Sequence, residues 1–230
     1  MATAVTNPTR GPGFFRNLWH AVGLLLWYVI FRVFSRVRVL GKENIPKRVE
    51  RDVLILSNHV SAIDPFFIAA TSMPFFSPVW WRAPAKAELF QIPVIKNILS
   101  SWGAIPVRRG QRDLEAVGRM VELLPESVIV AFPEGKRSTE GQLLPGRPGM
   151  GKVIHDSRPR KVIPVYIQGT NTLLPRGKIL PRLFRTVTIH YGKPLNLHRF
   201  YRLPDSVALS KQIIDEVMRE IALLKQSHQP

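Results

Sequence analysis

The chain has 230 residues, enough for one large α/β domain and too few for a second core of similar size. It contains no cysteine, which excludes disulfides, thiolate nucleophiles and cysteine-based metal sites. Lys and Arg number 33 against 16 Asp and Glu, and the resulting formal charge of +17 draws such a surface to polyanions, either nucleic acid or an anionic leaflet.

Residues 1–13 are polar, carry two prolines and two glycines, and read as disordered. Residues 14–35 read as an apolar helix. Within it, residues 17–31 (NLWHAVGLLLWYVIF) carry no charge and are bracketed by Arg16 and Arg32. Fifteen helical residues rise about 22 Å, short of the roughly 30 Å of a bilayer core. An interfacial or half-embedded helix therefore fits better than a simple span. Trp19, Trp27 and Tyr28 suit the headgroup level, and Arg32, Arg36, Arg38 and Lys42 supply a basic flank. No small-x-small cleavage pattern follows, which argues against a signal peptide. A buried helix of a soluble core is the alternative.

Residues 41–51 read as a polar connector. Residues 53–56 (VLIL) form a continuous apolar run, as expected of a strand buried on both faces. A loop at 58–64 follows. Asp64 and Pro65 then read as the cap and first residue of a helix. Residues 79–81 read as a strand, 86–101 as mostly helical with a break near Pro93, and 104–107 as a short strand. The pattern predicts an amphipathic helix over 113–124, a buried strand over 128–131, a short helix near 150–155, and strands over 162–167 and 187–191. A closing helix over 205–225 places Val207, Ile213, Ile214, Val217, Ile221 and Leu224 on one face. Strands alternating with helices predict an α/β fold with a mostly parallel or mixed sheet flanked by helices, behind the N-terminal membrane-associated helix. The division expected is 1–45 for the tail and membrane-binding helix and 46–230 for the catalytic domain.

The strongest local signal is N-H-V-S-A-I-D at 58–64, just past a buried strand. Open α/β sheets place ligand sites there. Five helical steps rotate a side chain about 500°, so His59 and Asp64 meet only if the intervening residues form a loop. Asp64 can then accept the Nδ1–H of His59 and leave Nε2 as a general base. The alternative is that Asp64 only caps its helix. Three further blocks lie at strand ends: G-A-I-P-V-R-R at 103–109, F-P-E-G-K-R-S at 132–138, and V-I-P-V at 162–165. There is no G-x-S-x-G elbow, no phosphate-cradling G-x-x-x-x-G-K-[ST] loop and no metal-ligand spacing among the six histidines. Ser61 is a weak nucleophile candidate because it lies inside the loop joining His59 to Asp64.

In order, content and strand-end position, these blocks resemble the glycerolipid acyltransferases, in particular the 1-acylglycerol-3-phosphate acyltransferases. The resemblance runs over residues 53–194. It implies an O-acyltransferase that moves a fatty acyl group from acyl-CoA or acyl carrier protein to the free hydroxyl of 1-acyl-glycerol 3-phosphate, giving phosphatidic acid. By position it makes His59 the base and Asp64 its orienter. It puts Glu134, Gly135 and Arg137 on the acceptor, Arg137 on the phosphate, and adds positive charge there from Lys86 and Arg109. Pro164 would shape the site wall. No metal or bound cofactor is implied, and the partners expected are the phospholipid membrane, the acyl donor and the lysophospholipid, not nucleic acid. The location expected is the membrane, on its cytoplasmic face. Pro106, Lys136 and Lys96 depart from the common pattern, where an apolar residue, Thr and Gly are frequent; these departures bear on the head group, and leave another lysophospholipid or glycerol 3-phosphate as alternative acceptors. A non-catalytic basic nucleic-acid-binding protein is the rival from a different class.

Overall fold

The computed structural model describes residues 12–108, 113–138, 140–178 and 180–227. The disorder expected for 1–13 therefore falls almost wholly outside the described residues.

The helix α1 (Phe14–Phe34) leads directly into β1 (Ser35–Leu40). Then come β2 (Val53–Ser57), α2 (Asp64–Ser72), β3 (Trp80–Arg82), β4 (Pro84–Lys86), α3 (Pro93–Ser101), β5 (Ile105–Val107), α4 (Leu114–Leu123) and β6 (Ser127–Ala131). The chain continues through α5 (Pro148–Ser157), β7 (Lys161–Gln168), α6 (Thr170–Leu173), β8 (Arg185–Tyr191) and α7 (Val207–Gln226). The main sheet has the order β1-β8-β7-β2-β6-β3, and β4 and β5 form a separate parallel pair. All main-sheet neighbours are parallel except β7 and β8. The mixed sheet matches the α/β expectation.

The two faces of the sheet follow from the period-2 alternation of β2 and β6. Leu54, Leu56, Ile129 and Ala131 face a core built with α4, α5 and α7. Val53, Ile55, Val128 and Val130 face a second core built with α1 and α2, where Phe31 stacks on Phe67 with ring centroids 3.5 Å apart. Both strands are buried at every residue, so they read as unbroken apolar runs rather than alternating ones.

Several sequence expectations need adjustment. Residues 35–40 read as a basic flank of the apolar helix, but they form β1, paired in parallel with β8. The main sheet thus begins before residue 46, where the catalytic domain was expected to start. Val207 is 58% exposed, and Leu209 and Ser210 take its place on the buried side of α7. The strand near 104–107 does not join the main sheet but pairs with β4. Most of α1 is exposed, with only His20, Ala21, Leu24 and Phe31 buried.

The site is positioned by a divergence of connections. After β2 the chain turns into α2 against one core, and after β6 it turns into α5 against the other. A crevice therefore opens beyond the carboxyl ends of β2 and β6, at the point where the chain switches sides.

Candidate active site

His59 and Asp64 flank a four-residue turn at the end of β2. The Nδ1–H of His59 donates to Oδ2 of Asp64 at 2.8 Å. The same oxygen accepts from the backbone N–H of Val60 at 2.7 Å and of Ser61 at 2.8 Å. The other oxygen, Oδ1, accepts from the hydroxyl of Thr170 at 2.5 Å. Asp64 is fully buried, so these four donors replace the water its carboxylate loses. The capping role is not seen: α2 has Ile63 at its cap position and no side-chain cap bond. Asp64 is instead the first residue of the helix, and its side chain turns back onto the loop it closes.

The loop is held from three sides. Asn58 pairs its amide with both backbone groups of Ile167, donating to the carbonyl at 2.9 Å and accepting from the N–H at 2.8 Å. This extends β2 sideways onto β7 by one side chain. The N–H of Ser138 donates to the carbonyl of His59 at 2.8 Å. The His59 ring stacks on Phe132, centroids 4.1 Å apart. Among the described residues nothing hydrogen-bonds Nε2 of His59, and no serine or threonine hydroxyl is placed to be activated by it. Ser61 spends its hydroxyl on the carbonyl of Leu174 at 3.4 Å.

The His59 ring forms part of the wall of a cavity of about 810 Å³. Val117, Met120, Phe132 and Met150 make much of the wall apolar, and Arg108, Arg147 and Lys152 bring cations to it. Such a mixture suits an amphiphile with an anionic end. Lys152 is committed elsewhere, bonding Asp156 at 2.9 Å and Asp205 at 2.8 Å. It thereby bridges the cluster of His155, Asp156 and Asp205 with a cation of its own.

The remaining sequence candidates separate into groups. Glu134 is buried beside the pair, with Oε1 accepting from the N–H of His59 at 3.4 Å and Oε2 left without a partner. Burial pushes its carboxyl up to about 7; bonds from the His59 and Leu144 backbone oppose this, and the nearby Asp64 charge adds to it. Glu134 faces inward while Arg137 is exposed, and no ion pair joins the two. Gly135 has φ of +67° and lies against Arg147, whose Cδ would be 2.8 Å from any added Cβ. Only glycine suits both constraints. Arg137 is exposed, one residue before the Ser138 that holds His59, and like Lys86 and Pro164 it does not line the cavity.

Lys86 and Pro164 stand apart. Lys86 ends β4 with its ammonium 3.2 Å from Glu88, beside Val107 in register, and it does not line the cavity. Pro164 lies inside β7 opposite Leu56 and packs near Gly192 and Leu224, not on the cavity wall. Its side of the strand faces α7, because β7 alternates and Ile163 and Val165 face the other core. Arg109 lies outside the described residues.

Sequence reading passed over Thr170 and Arg147. Thr170 follows a glycine at a strand exit, which no motif marks. Arg147 sits in a Pro/Gly-rich turn, and its N–H donates to the carbonyl of Pro133 at 2.9 Å.

A family model described as Acyltransferase matches residues 36–168. The chain is 27% identical over 165 residues to the chloroplast 1-acyl-sn-glycerol-3-phosphate acyltransferase LPAT1 of Arabidopsis thaliana, covering 70% of this chain but only 44% of that protein. It therefore spans less than half the length of that relative. It is also 27% identical over 194 residues to the 1-acyl-sn-glycerol-3-phosphate acyltransferase of Borreliella burgdorferi, covering 83% of this chain and 73% of the other. The crystal structure of PlsC, the 1-acyl-sn-glycerophosphate acyltransferase of Thermotoga maritima, superposes with a TM-score of 0.62 over 92% of this chain and 97% of that one, at 22% identity, a likeness of fold. The family match spans more than half of the chain and includes both His59 and Glu134, and this protein belongs to the acyltransferase family.

Proposed function

We propose that the protein transfers a fatty acyl group from acyl-CoA or acyl carrier protein to the free hydroxyl of 1-acyl-glycerol 3-phosphate, giving phosphatidic acid. The observation that carries this reading is the buried His59–Asp64 pair, with the His59 ring on the wall of a largely apolar cavity. Asp64 fixes the Nδ1–H tautomer, so Nε2 is the basic nitrogen. The acceptor hydroxyl gives its proton to Nε2 as its oxygen attacks the thioester carbonyl. The tetrahedral intermediate collapses, the C–S bond breaks, and the imidazolium returns the proton to the departing thiolate. Transfer is direct, because among the described residues no hydroxyl is positioned to form an acyl-enzyme.

The acyl chain lies along Val117, Met120 and Met150, and the acceptor phosphate is gripped by arginine, whose planar fork matches phosphate oxygens. Arg137 is the first choice, being exposed and next to the residue that anchors His59; Arg108 and Arg147 on the cavity rim, with Arg109 next in sequence, add field. Helix α1 rests in the leaflet with its apolar face down, so that enzyme and lipid acceptor share one surface. The relatives named for this activity support the acceptor choice.

The test is to incubate purified full-length protein with 1-acyl-glycerol 3-phosphate and, in parallel, acyl-CoA and acyl carrier protein donors, and to measure phosphatidic acid. Formation from either donor, lost in His59→Ala, is expected. A folded protein that acylates another lysophospholipid or glycerol 3-phosphate instead would overturn the acceptor assignment.

A further inference from the structure

Helix α3 is out of keeping with the rest of the fold. It has nine residues, and none is buried. Helices this short are unstable by propensity alone and normally owe their existence to a buried face. An apolar face is present. At 100° per residue, Ile92, Val94, Ile95, Ile98 and Leu99 fall within an arc of about 160°, and Lys96, Asn97 and Ser100 fall outside it. Ile95 and Leu99 turn partly toward the protein, while Ile92, Val94 and Ile98 are 48%, 68% and 45% exposed.

Two observations identify what covers that face. The first is continuity with α1. The indole N–H of Trp19 donates to the hydroxyl of Ser101 at 2.9 Å, and His20 bonds the carbonyl of Ser101 at the same distance. On another side of α1, Asn17 accepts from the N–H of Ser77 at 3.2 Å, which brings in the exposed Phe75 and Phe76. The second is charge. Residues 1–42, 65–87 and 89–101 contain no Asp or Glu; Glu88, the one carboxylate within 65–101, is paired with Lys86 at 3.2 Å, and Arg16, Arg32 and Lys96 leave an excess of cations. Arg48 adds a cation at the rim, its Nε donating to the carbonyl of Phe76 at 2.7 Å. A contiguous apolar surface edged by an excess of cations complements an anionic lipid leaflet.

We infer that α3, with the turn carrying Phe75 and Phe76, is a second leaflet-contacting element beside α1. This rests on the membrane placement of α1 proposed above and extends it. The consequence concerns substrate entry. Helix α3 joins β4 to β5, and Pro84 of β4 and Val107 of β5 line the cavity. Seating α3 in the leaflet sets this wall of the cavity at the lipid surface, so a lysolipid reaches it without leaving the bilayer for water.

The absence of native cysteine makes a direct test simple. Full-length single-cysteine variants Val94→Cys, Ile98→Cys, Val22→Cys and Gln212→Cys are labelled with an environment-sensitive fluorophore. Each is mixed with phosphatidylcholine vesicles containing phosphatidylglycerol, with and without doxyl-labelled lipid. The expected result is a blue shift, a several-fold rise in emission and doxyl quenching at residues 94 and 98, comparable to residue 22 on α1, and none at residue 212 on α7. Two sites on α3 keep the test valid if one variant misfolds. Quenching at residue 22 without quenching at 94 and 98 overturns the inference and leaves the α1 placement standing. No quenching at any of the three overturns both. Shielding of residue 94 that appears without vesicles, on raising protein concentration or adding acyl carrier protein, shows that a protein covers α3 and also overturns it.

Discussion

The hydroxyl of Thr170 donates to Oδ1 of Asp64 at 2.5 Å, across 106 residues of sequence. With His59, Val60 and Ser61 occupying Oδ2, this bond completes the set of donors around a carboxylate that solvent does not reach. It fixes the rotation of the carboxylate, and through it the imidazole plane.

Thr170→Val should therefore lower kcat by roughly 10- to 100-fold with little change in KM, since a hydrogen bond to a charged group is worth about 1.5–3 kcal/mol. Thr170→Ser keeps the donor and should restore most of the activity. Steady-state kinetics of the two variants, alongside their melting temperatures, checks this; equal losses in both would mean that the methyl group's packing, not the bond, matters.

His59→Ala should reduce turnover by about 10²–10⁴-fold, the usual contribution of a general base. The fold should survive, because removing the ring leaves the carbonyl of His59 bonded to Ser138 and the side chain of Asp64 bonded to Val60, Ser61 and Thr170. Circular dichroism and product formation measured on the same sample separate the two effects. Near-normal turnover by a folded variant would remove His59 from the mechanism.

Glu134 gives a pH signature. Its carboxyl ionises near its ordinary value in the unfolded chain and at about 7 in the folded one. A raised folded value means the contribution to stability is full below about 4.5, declines as pH rises, and is gone above about 7. The wild-type melting temperature should accordingly fall between pH 5 and 8 relative to Glu134→Gln, which cannot ionise. The difference integrates to an upper limit of about 3 kcal/mol. Parallel pH dependence in the two proteins would show that burial does not perturb this group.

Arg137→Ala should raise the KM for 1-acyl-glycerol 3-phosphate by about 10-fold or more, the loss of one charge-assisted contact, while the KM for the acyl donor stays nearly constant. An acceptor without a phosphate should show no such difference between wild type and variant. If the acceptor KM is unchanged, the phosphate is held by the cavity-rim arginines instead, and Arg147→Ala becomes the informative variant.

Much of this architecture is legible in one dimension. Strands β2, β6 and β7 stand out because burial on both faces leaves no polar residue in their centres. Helices α4 and α7 stand out because a half-buried helix must repeat its apolar residues at 3.6. The His59–Asp64 pairing is legible because its partners are close along the chain and only a loop can join them. Edge strand β1 is harder to see. It buries one face only, and its outward arginines beside an apolar helix look like a leaflet-facing flank.

Other features depend on contacts that no local pattern encodes. Thr170 reaches the 58–64 loop, and Asn58 ties that loop to Ile167, only because β7 lies next to β2 in the sheet. Lys86, carried over by the resemblance, and Pro164, inside a recognisable block, do not line the cavity, since a motif fixes a position along the chain while strand register and pairing fix the direction of the side chain. Glu134 shows the same limit in energetic form. The sequence placed a carboxylate after β6, but packing against His59 and Asp64 decided that it would be buried with one oxygen unpartnered, and that burial moves its proton affinity toward neutrality. Periodicity and short-range spacing thus set which elements form and where the His59–Asp64 pair lies. Three-dimensional packing alone sets the hydrogen-bond partners, the burial and the charge state on which their chemistry depends.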